Sequence, residues 1–349
     1  LQEVRLVQSL GYKVTFLPQN LAHLGSYTDM LQRQGVEVIV APFYLSIQDY
    51  LAKHGADFDA FYVTRYYVGQ AVIPKIREVA PDARIILNNA DLHFLRELRA
   101  GVAAGDQARI DAAKLVRDAE LEVMRKVDLI LSYNDVEHSV IQSHTDGAVG
   151  VMTCPWVLDL PAKVPGLSGR KGVSFLGSFK HTPNAEGIAW FAREVMAGLE
   201  KTDPEIVLSI YGSGMTDEVK ALKAANIDPA GFVENAADAY DRHRVFVAPL
   251  LSGAGIKGKV LAALAHGVPC VLSPVAAEGI GLRHGHDCMI AETPADWTRA
   301  LQALYGDDAL WQKLSDNARA YAGERFSFDR GREQMRAAFE AVDLFGAAD

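Results

Sequence analysis

Between Leu250 and Ser273 the chain reads LLSGAGIKGKVLAALAHGVPCVLS. Gly253, Gly255 and Gly258 allow backbone N–H groups to point inward, Lys257 and Lys259 add positive charge, and the Ala-rich run behind them has helical spacing. Amide donors and cations at a helix N-terminus suit an anion, a diphosphate above all. The same residues also suit a plain strand-to-helix turn with solvated lysines. The loop is neither G-x-G-x-x-G after a first strand nor a phosphate loop ending in Gly-Lys-Ser/Thr, which argues against dinucleotide oxidoreductases and nucleotide hydrolases.

Three further stretches of the second half place polar groups directly after an apolar run. Gly177-Ser178-Phe179-Lys180-His181-Thr182-Pro183-Asn184 follows VSFL, with Gly177 open to close backbone approach and Pro183 suited to a first helical turn. Ser213-Gly214 follows EIVLSIYG as a second tight turn, and Glu278-Gly279 follows VPCVLSPVAA, where the carboxylate suits hydrogen bonds from hydroxyl groups. In the first half Asp91, His93 and Arg96 follow ARIILNN: His93 suits orientation of a hydroxyl, Asp91 acceptance of its hydrogen bonds and Arg96 an anionic group. The plain alternative makes Asp91 a helix cap and His93 a packed structural residue. His284-Gly-His286 is a weak metal pattern, and Trp156 and Trp190 read as packing residues.

These residues gain meaning from the elements that must hold them. Apolar runs alternate with helical patterns from Tyr12 to Met152 (KVTFLP, VEVIVAP, DAFYVT, ARIILNN, VDLILSY, VGVMTC) and again from Val173 to Glu292. Many are continuously apolar, as in parallel strands covered on both faces. In open parallel sheets ligands bind beyond the carboxyl ends of the strands, where the residues above fall. Pro155, Pro161 and Pro165 with three glycines interrupt the pattern between Thr153 and Gly172 and predict a linker. The expected organisation is an N-terminal Rossmann-like domain over 1–160 and a second α/β domain over 161–349. Helices are expected over 183–200, 217–225 and 259–265, and consecutive helices from Pro294 to Phe345, with Asp307, Ser315 and Ser327 as caps or turn residues and the last helix returning to the N-terminal domain. The opening LQEVRLVQSLGYKVTFLP reads as the end of an amphipathic helix running into a strand, so a first strand is expected upstream, in a longer parent chain that could carry fused domains.

Composition narrows the partners. With 349 residues, 49% hydrophobic and 23% charged, the chain suits two globular domains and contains no run of membrane-spanning length. A net charge of −9 without a long basic cluster excludes nucleic acid as an expected partner. Cys154, Cys270 and Cys288 are few, odd in number and far apart, which favours a reducing cytoplasm; Cys270 reads as a small core residue.

The segments VSFLGSFKHTPNAEGIAWFAREV, IYGSG, GFVENAADAYDRHRVFVAPLLSGAGIKGKVLAALAHGVPCVLSPVAAEGI and FSFDRGREQM resemble the donor half of retaining GT-B glycosyltransferases of the group-1 or family-4 type, which build bacterial polysaccharides. NNADLHFLRELR and DAELEVMRKVDLILSYNDVEHSVI carry a weaker likeness in the first half. The resemblance implies an α/β GT-B fold, two doubly wound Rossmann-like domains facing a cleft, with C-terminal helices: the domain over 1–160 on the acceptor side and the domain over 161–349 binding the nucleotide-sugar donor. It implies transfer of a sugar, hexosyl or deoxyhexosyl, from a nucleotide-sugar to a saccharide or lipid-linked glycan acceptor, with retention, no cofactor and no metal, in the cytoplasm and at the inner face of the membrane if peripherally associated.

Residue by residue, the resemblance places Gly177 and Ser178 against the donor diphosphate, with Lys180 and Asn184 nearby, and Gly212 and Val233 beside the base. It gives Lys257 the task of neutralising the diphosphate, brings Gly255 and Ile256 to the donor sugar, and sets Glu278 and Gly279 near sugar or phosphate. Lys257, His93 and Asp91 become the catalytic candidates, and Asp91, His93 and Arg96 the acceptor-binding ones. Two carboxylates common in the family are replaced by Ala254 and Ala262, the second removing a ribose contact. A catalytically silent nucleotide-sugar-binding or scaffold module is therefore the competing reading, followed by a GT-B epimerase or phosphorylase.

Overall fold

The computed structural model describes residues 1–253 and 255–345, so the expectation attached to Ala254 lies outside the described residues. Two compact units emerge: Leu1–Val157 together with the stretch from Phe328, and Leu158–Ser327.

In the first unit β1 (Thr15–Phe16) and β2 (Glu37–Val38) pair only with each other, in parallel. A separate four-stranded parallel sheet runs in sequence order through β3 (Ala60–Thr64), β4 (Arg84–Asn88), β5 (Leu129–Ser132) and β6 (Gly150–Thr153). Its central strands are buried throughout most of their length, because helices such as Tyr66–Val79 and Gln107–Met124 supply the apolar cover that parallel strands require. The helix Phe328–Glu340 packs here: Met335 and Phe339 share a core with Leu6 of the helix Gln2–Ser9. Gly331 is needed at that contact, since a Cβ on it would fall 2.5 Å from Val157 Cγ2. The second unit thus ends at Ser327, and the last helix belongs with the N-terminal unit.

The second unit holds six parallel strands: β7 (Val173–Leu176), β8 (Leu208–Tyr211), β9 (Ile227–Gly231), β10 (Val245–Ala248), β11 (Cys270–Leu272) and β12 (Met289–Ile290). Their spatial order is β12-β11-β10-β7-β8-β9. Phe175, Val245, Val247 and Val271 have no exposed surface and join Trp297 and Trp311 from the C-terminal helices in one core. Trp311 meets its polar requirement by donating from Nε1 to the carbonyl of Arg244 at 2.7 Å.

Some local expectations hold and others need correction. Asp307 caps the helix Asp308–Phe326 through Leu310 N at 2.9 Å, but Ser315 lies inside that helix and donates to the Gly267 carbonyl at 2.7 Å. The helix expected over 217–225 stops at Lys220, because Ala224 turns back to pair with Ile227 at the start of β9. The helix expected over 183–200 begins at Thr182 and continues to Thr202 through a wider turn at Ala192–Met196.

Candidate active site

From β7 the chain proceeds outward to β8 and β9, and from β10 it proceeds the other way to β11 and β12. The loops after β7 and β10 therefore part company, and a crevice opens at this switch point. The turn after β7 carries Gly177 and Ser178; the turn after β10 carries the glycine-lysine loop. Both are set by close backbone packing. A Cβ on Gly212, just after β8, would fall 1.8 Å from the Gly177 carbonyl oxygen, and Phe179 N donates to the Ser213 carbonyl at 2.9 Å. A Cβ on Gly187 would fall 2.4 Å from the Pro249 carbonyl oxygen, so only glycine lets the helix Thr182–Phe191 lie against the end of β10.

That helix has no side-chain cap at its N-terminal His181, and Asn184 in its first turn faces the crevice turn: Nδ2 donates to the Ser178 carbonyl at 2.7 Å. Asn184 Oδ1 accepts from Lys259 Nζ, which also lies 4.5 Å over the Phe175 ring centroid. A Cβ on Gly177 would be 3.1 Å from the same ammonium. Burial, and after it the charge of Lys257, hold the Lys259 pKa down to about 7. Lys257 is the residue that precedes the helix Gly258–Ala265; it is buried and donates from Nζ to the Gly255 carbonyl at 2.5 Å.

The remaining donor-side candidates spread around this centre. Gly255, with φ of 70°, and Ile256 belong to the Lys257 loop. That loop meets the Ser273–Gly279 segment, where a Cβ on Gly253 would lie 3.9 Å from Val275 Cγ1; Glu278 and Gly279 follow the short helix Pro274–Ala277. Lys180 is exposed, its stem alongside Gly214. Val233 is half-buried beyond β9, and Gly231 of that strand accepts from Gly212 N at 2.8 Å. Ala262 is half-exposed on the helix Gly258–Ala265.

In the first unit Asp91, His93 and Arg96 do come together. Asp91 is not a helix cap; its carboxylate takes Arg96 Nη1 on Oδ2 and Arg65 Nη1, at 3.1 Å, on Oδ1. The cap is supplied from a distance by Glu120, 1% exposed, whose two oxygens accept from His93 N and Phe94 N at 3.0 Å each. His93 Nε2 lies 3.2 Å from Arg65 Nη1. An arginine can only donate, so Nε2 accepts and the proton sits on Nδ1, which faces Glu120 Oε1 at 3.4 Å without an aligned hydrogen bond. Arg65 and Glu120 were not singled out in the sequence. Arg65 directly follows β3 at a left-handed φ of 76°, a conformation unfavourable for a side chain of its size. End-of-strand position was the available signal for it; Glu120 offered none.

The other marked residues have structural duties. Trp156 packs edge-on to Tyr133 and Trp190 against Trp297. His284 Nδ1 accepts from Ile290 N at 2.9 Å, while His286 pairs with Asp287 at 2.7 Å.

The model of the group 1 glycosyl transferases matches residues 170–307. Residues 170–307 are similar to that family's domain. This stretch contains β7 to β12, both crevice loops and both lysines. An uncharacterised 44.6 kDa protein of the cps region of Klebsiella pneumoniae is 30% identical over 163 residues, a match spanning 44% of this chain and 42% of that relative. Sucrose-phosphate synthase from Thermosynechococcus elongatus superposes with a TM-score of 0.73 at 14% identity, covering 97% of this chain and 91% of its own. Anabaena HepE (Alr3699), solved with UDP, gives 0.70 at 12% identity over 95% and 100%. The matched stretch therefore belongs to a chain with the GT-B fold. Among the described residues no helix is long and apolar enough to cross a membrane.

Proposed function

We propose that this protein transfers a glycosyl group from a nucleotide-sugar to a saccharide or lipid-linked glycan acceptor, in the cytoplasm, with retention at the anomeric carbon. The observation that carries the reading is the meeting of Gly177, Gly212 and Lys259 at the switch point of a sheet in the stretch similar to group 1 glycosyl transferases. In this reading the N–H groups of Ser178 and the uncapped helix behind it, with Lys257, hold the leaving diphosphate. Gly212 and Val233 border the base, Gly255 and Ile256 approach the donor sugar, and Glu278 with Gly279 accepts its hydroxyls. Lys180 and Asn184 flank the diphosphate.

Departure of a nucleoside diphosphate concentrates negative charge on one oxygen, and preorganised donors aimed there lower the barrier without reorganising. The reading assigns that charge to lysines and amides, not to a metal. The leaving phosphoryl oxygen assists deprotonation of the incoming hydroxyl on the same face, which gives retention. Asp91, His93 and Arg96 bind the acceptor, with Arg65 fixing the tautomer of His93. HepE, solved with UDP, and a relative from a capsule gene region support a nucleotide-sugar donor and a polysaccharide context. The three buried, unpaired cysteines support a reducing compartment.

Ala262 favours a second reading, a nucleotide-sugar-binding module without turnover, because it leaves the helix beside the crevice without a carboxylate. Saturation-transfer spectroscopy with UDP, GDP, ADP and dTDP, followed by donor hydrolysis and transfer assays, tests both. Binding with hydrolysis or transfer supports the enzyme; binding with neither supports the module; no binding by any of the four overturns the donor site.

A further inference from the structure

Lys259 occupies a position poorly suited to a permanent cation. Each element packed against its side chain presents something other than a counter-charge. β7 offers the ring of fully buried Phe175, with Nζ 4.5 Å above the centroid, and then the bare backbone of Gly177. The helix Thr182–Phe191 offers the neutral amide of Asn184. The loop before its own helix offers a second lysine, Lys257. Tyr240, from the helix Ala237–Asp241, reaches this residue only at its backbone, its hydroxyl donating to the Lys259 carbonyl at 3.2 Å, and burial keeps that phenol protonated. Among the described residues no carboxylate pairs with Lys259, and Lys257 is the sole charged group that perturbs it.

The ammonium nevertheless points at the Gly177 turn, where the missing Cβ opens the way to the backbone. Filling that turn with a diphosphate would bring the first anionic oxygens within reach of Nζ and reverse its electrostatic surroundings. Resting on the donor-site reading above, we propose that nucleotide binding is coupled to uptake of a proton by Lys259: at mildly alkaline pH the buried amine, with no carboxylate beside it, is mostly neutral in the empty protein and becomes an ammonium when the diphosphate settles on Gly177 and Ser178. The balance is one amine plus one proton from buffer giving one ammonium, with no bond to carbon or phosphorus formed or broken. Burial with Lys257 nearby, which holds the empty-state pKa to about 7, agrees with this.

Two consequences follow. At alkaline pH the empty crevice lacks the Lys259 charge and the loaded one carries it, so this cation is present chiefly while a diphosphate is there to use it. Release of the nucleoside diphosphate returns the proton, so product departure and deprotonation are linked. By linkage, affinity falls about tenfold per pH unit above the empty-state pKa until the bound-state pKa is reached.

The test is isothermal titration calorimetry of the full chain with whichever of UDP, GDP, ADP and dTDP binds best. It is run at pH 8.5 in two buffers of different ionisation enthalpy, where a terminal phosphoryl group of pKa about 6 is already fully ionised. The expected result is uptake of about one proton per nucleotide bound, and an affinity about tenfold weaker at pH 8.5 than at pH 7.5. Lys259→Arg, charged at every pH used, binds without proton uptake, and Lys259→Gln binds more weakly with a flat pH profile. Binding by the wild type with no proton uptake overturns the coupling while leaving the donor site standing. Uptake that persists in Lys259→Arg assigns the proton elsewhere and also overturns it. Failure of all four nucleotides overturns the donor-site reading and the coupling with it.

Discussion

Gly212 and Gly177 meet so closely that the carbonyl oxygen of one occupies the space of a side chain on the other: a Cβ on Gly212 would stand 1.8 Å from Gly177 O. The turns after β7 and β8 are consequently one packed object. Gly212→Ala must push the Gly177 turn outward, and the alanine also inherits a φ of 157°. The variant is expected to lose about 2–4 kcal/mol of stability, as measured by urea unfolding, and to lose detectable nucleotide binding even where it remains folded. Binding at wild-type affinity would separate this turn from the donor site.

Asn184 joins that turn to Lys259, accepting from the lysine while donating to the Ser178 carbonyl. Asn184→Asp keeps the size and replaces the amide by a charge. The new carboxylate pairs with Lys259 and keeps it protonated before any nucleotide arrives, so proton uptake on binding disappears. It also stands beside the phosphates, so affinity is expected to fall by about tenfold or more, through like-charge repulsion. Calorimetry in two buffers reads both effects. Undiminished proton uptake would show that Asn184 does not govern the lysine's charge.

How much of this was legible in the sequence differs by residue. Gly177 and the Gly253–Lys259 loop were visible because backbone approach and anion binding demand glycine and lysine beside strand ends, a local rule. Which lysine meets the Gly177 turn was not visible, since that depends on Phe175 and Asn184, brought in from β7 and another helix. Glu120 was hidden for the same reason: its partners at His93 and Phe94 are held by a fold contact, not by a capping pattern. The last helix showed its amphipathic spacing, and Leu6 and Val157 supply the core that receives it. Ser315 illustrates the converse error, where a good capping residue serves instead to satisfy the Gly267 carbonyl inside a helix pair.

His243 provides a pH signature for the second unit that is independent of ligand. Burial, helped by the charges of Arg242 and Arg170, lowers its pKa to about 4, and Tyr211 OH lies 3.1 Å from Nε2. The unfolded chain, with histidine near 6.5, therefore binds more protons than the folded one between pH 6.5 and 4, and stability rises with pH across that window. Acidification from pH 7 to 4 is expected to cost the wild type about 2–3 kcal/mol more than it costs His243→Gln, whose amide keeps a partner for Tyr211 without titrating. Urea midpoints at the two pH values read the difference; parallel losses in both proteins would place a charged histidine in the folded state.

Glu120 tests the acceptor-side cluster without disturbing the donor side. Its two oxygens cap the helix His93–Ala104 through consecutive N–H groups, and its Oε1 also faces His93 Nδ1. Glu120→Gln leaves a single acceptor for two buried N–H donors and turns an amide toward the Nδ1 proton. The expected cost is about 1–3 kcal/mol, the penalty for an unpaired buried group. Because Glu120 belongs to the first unit and the nucleotide residues to the second, nucleotide affinity is expected to stay within about twofold of wild type while any transfer activity falls. A matching loss of nucleotide affinity would mean that Glu120 supports the fold as a whole and not the His93 cluster in particular.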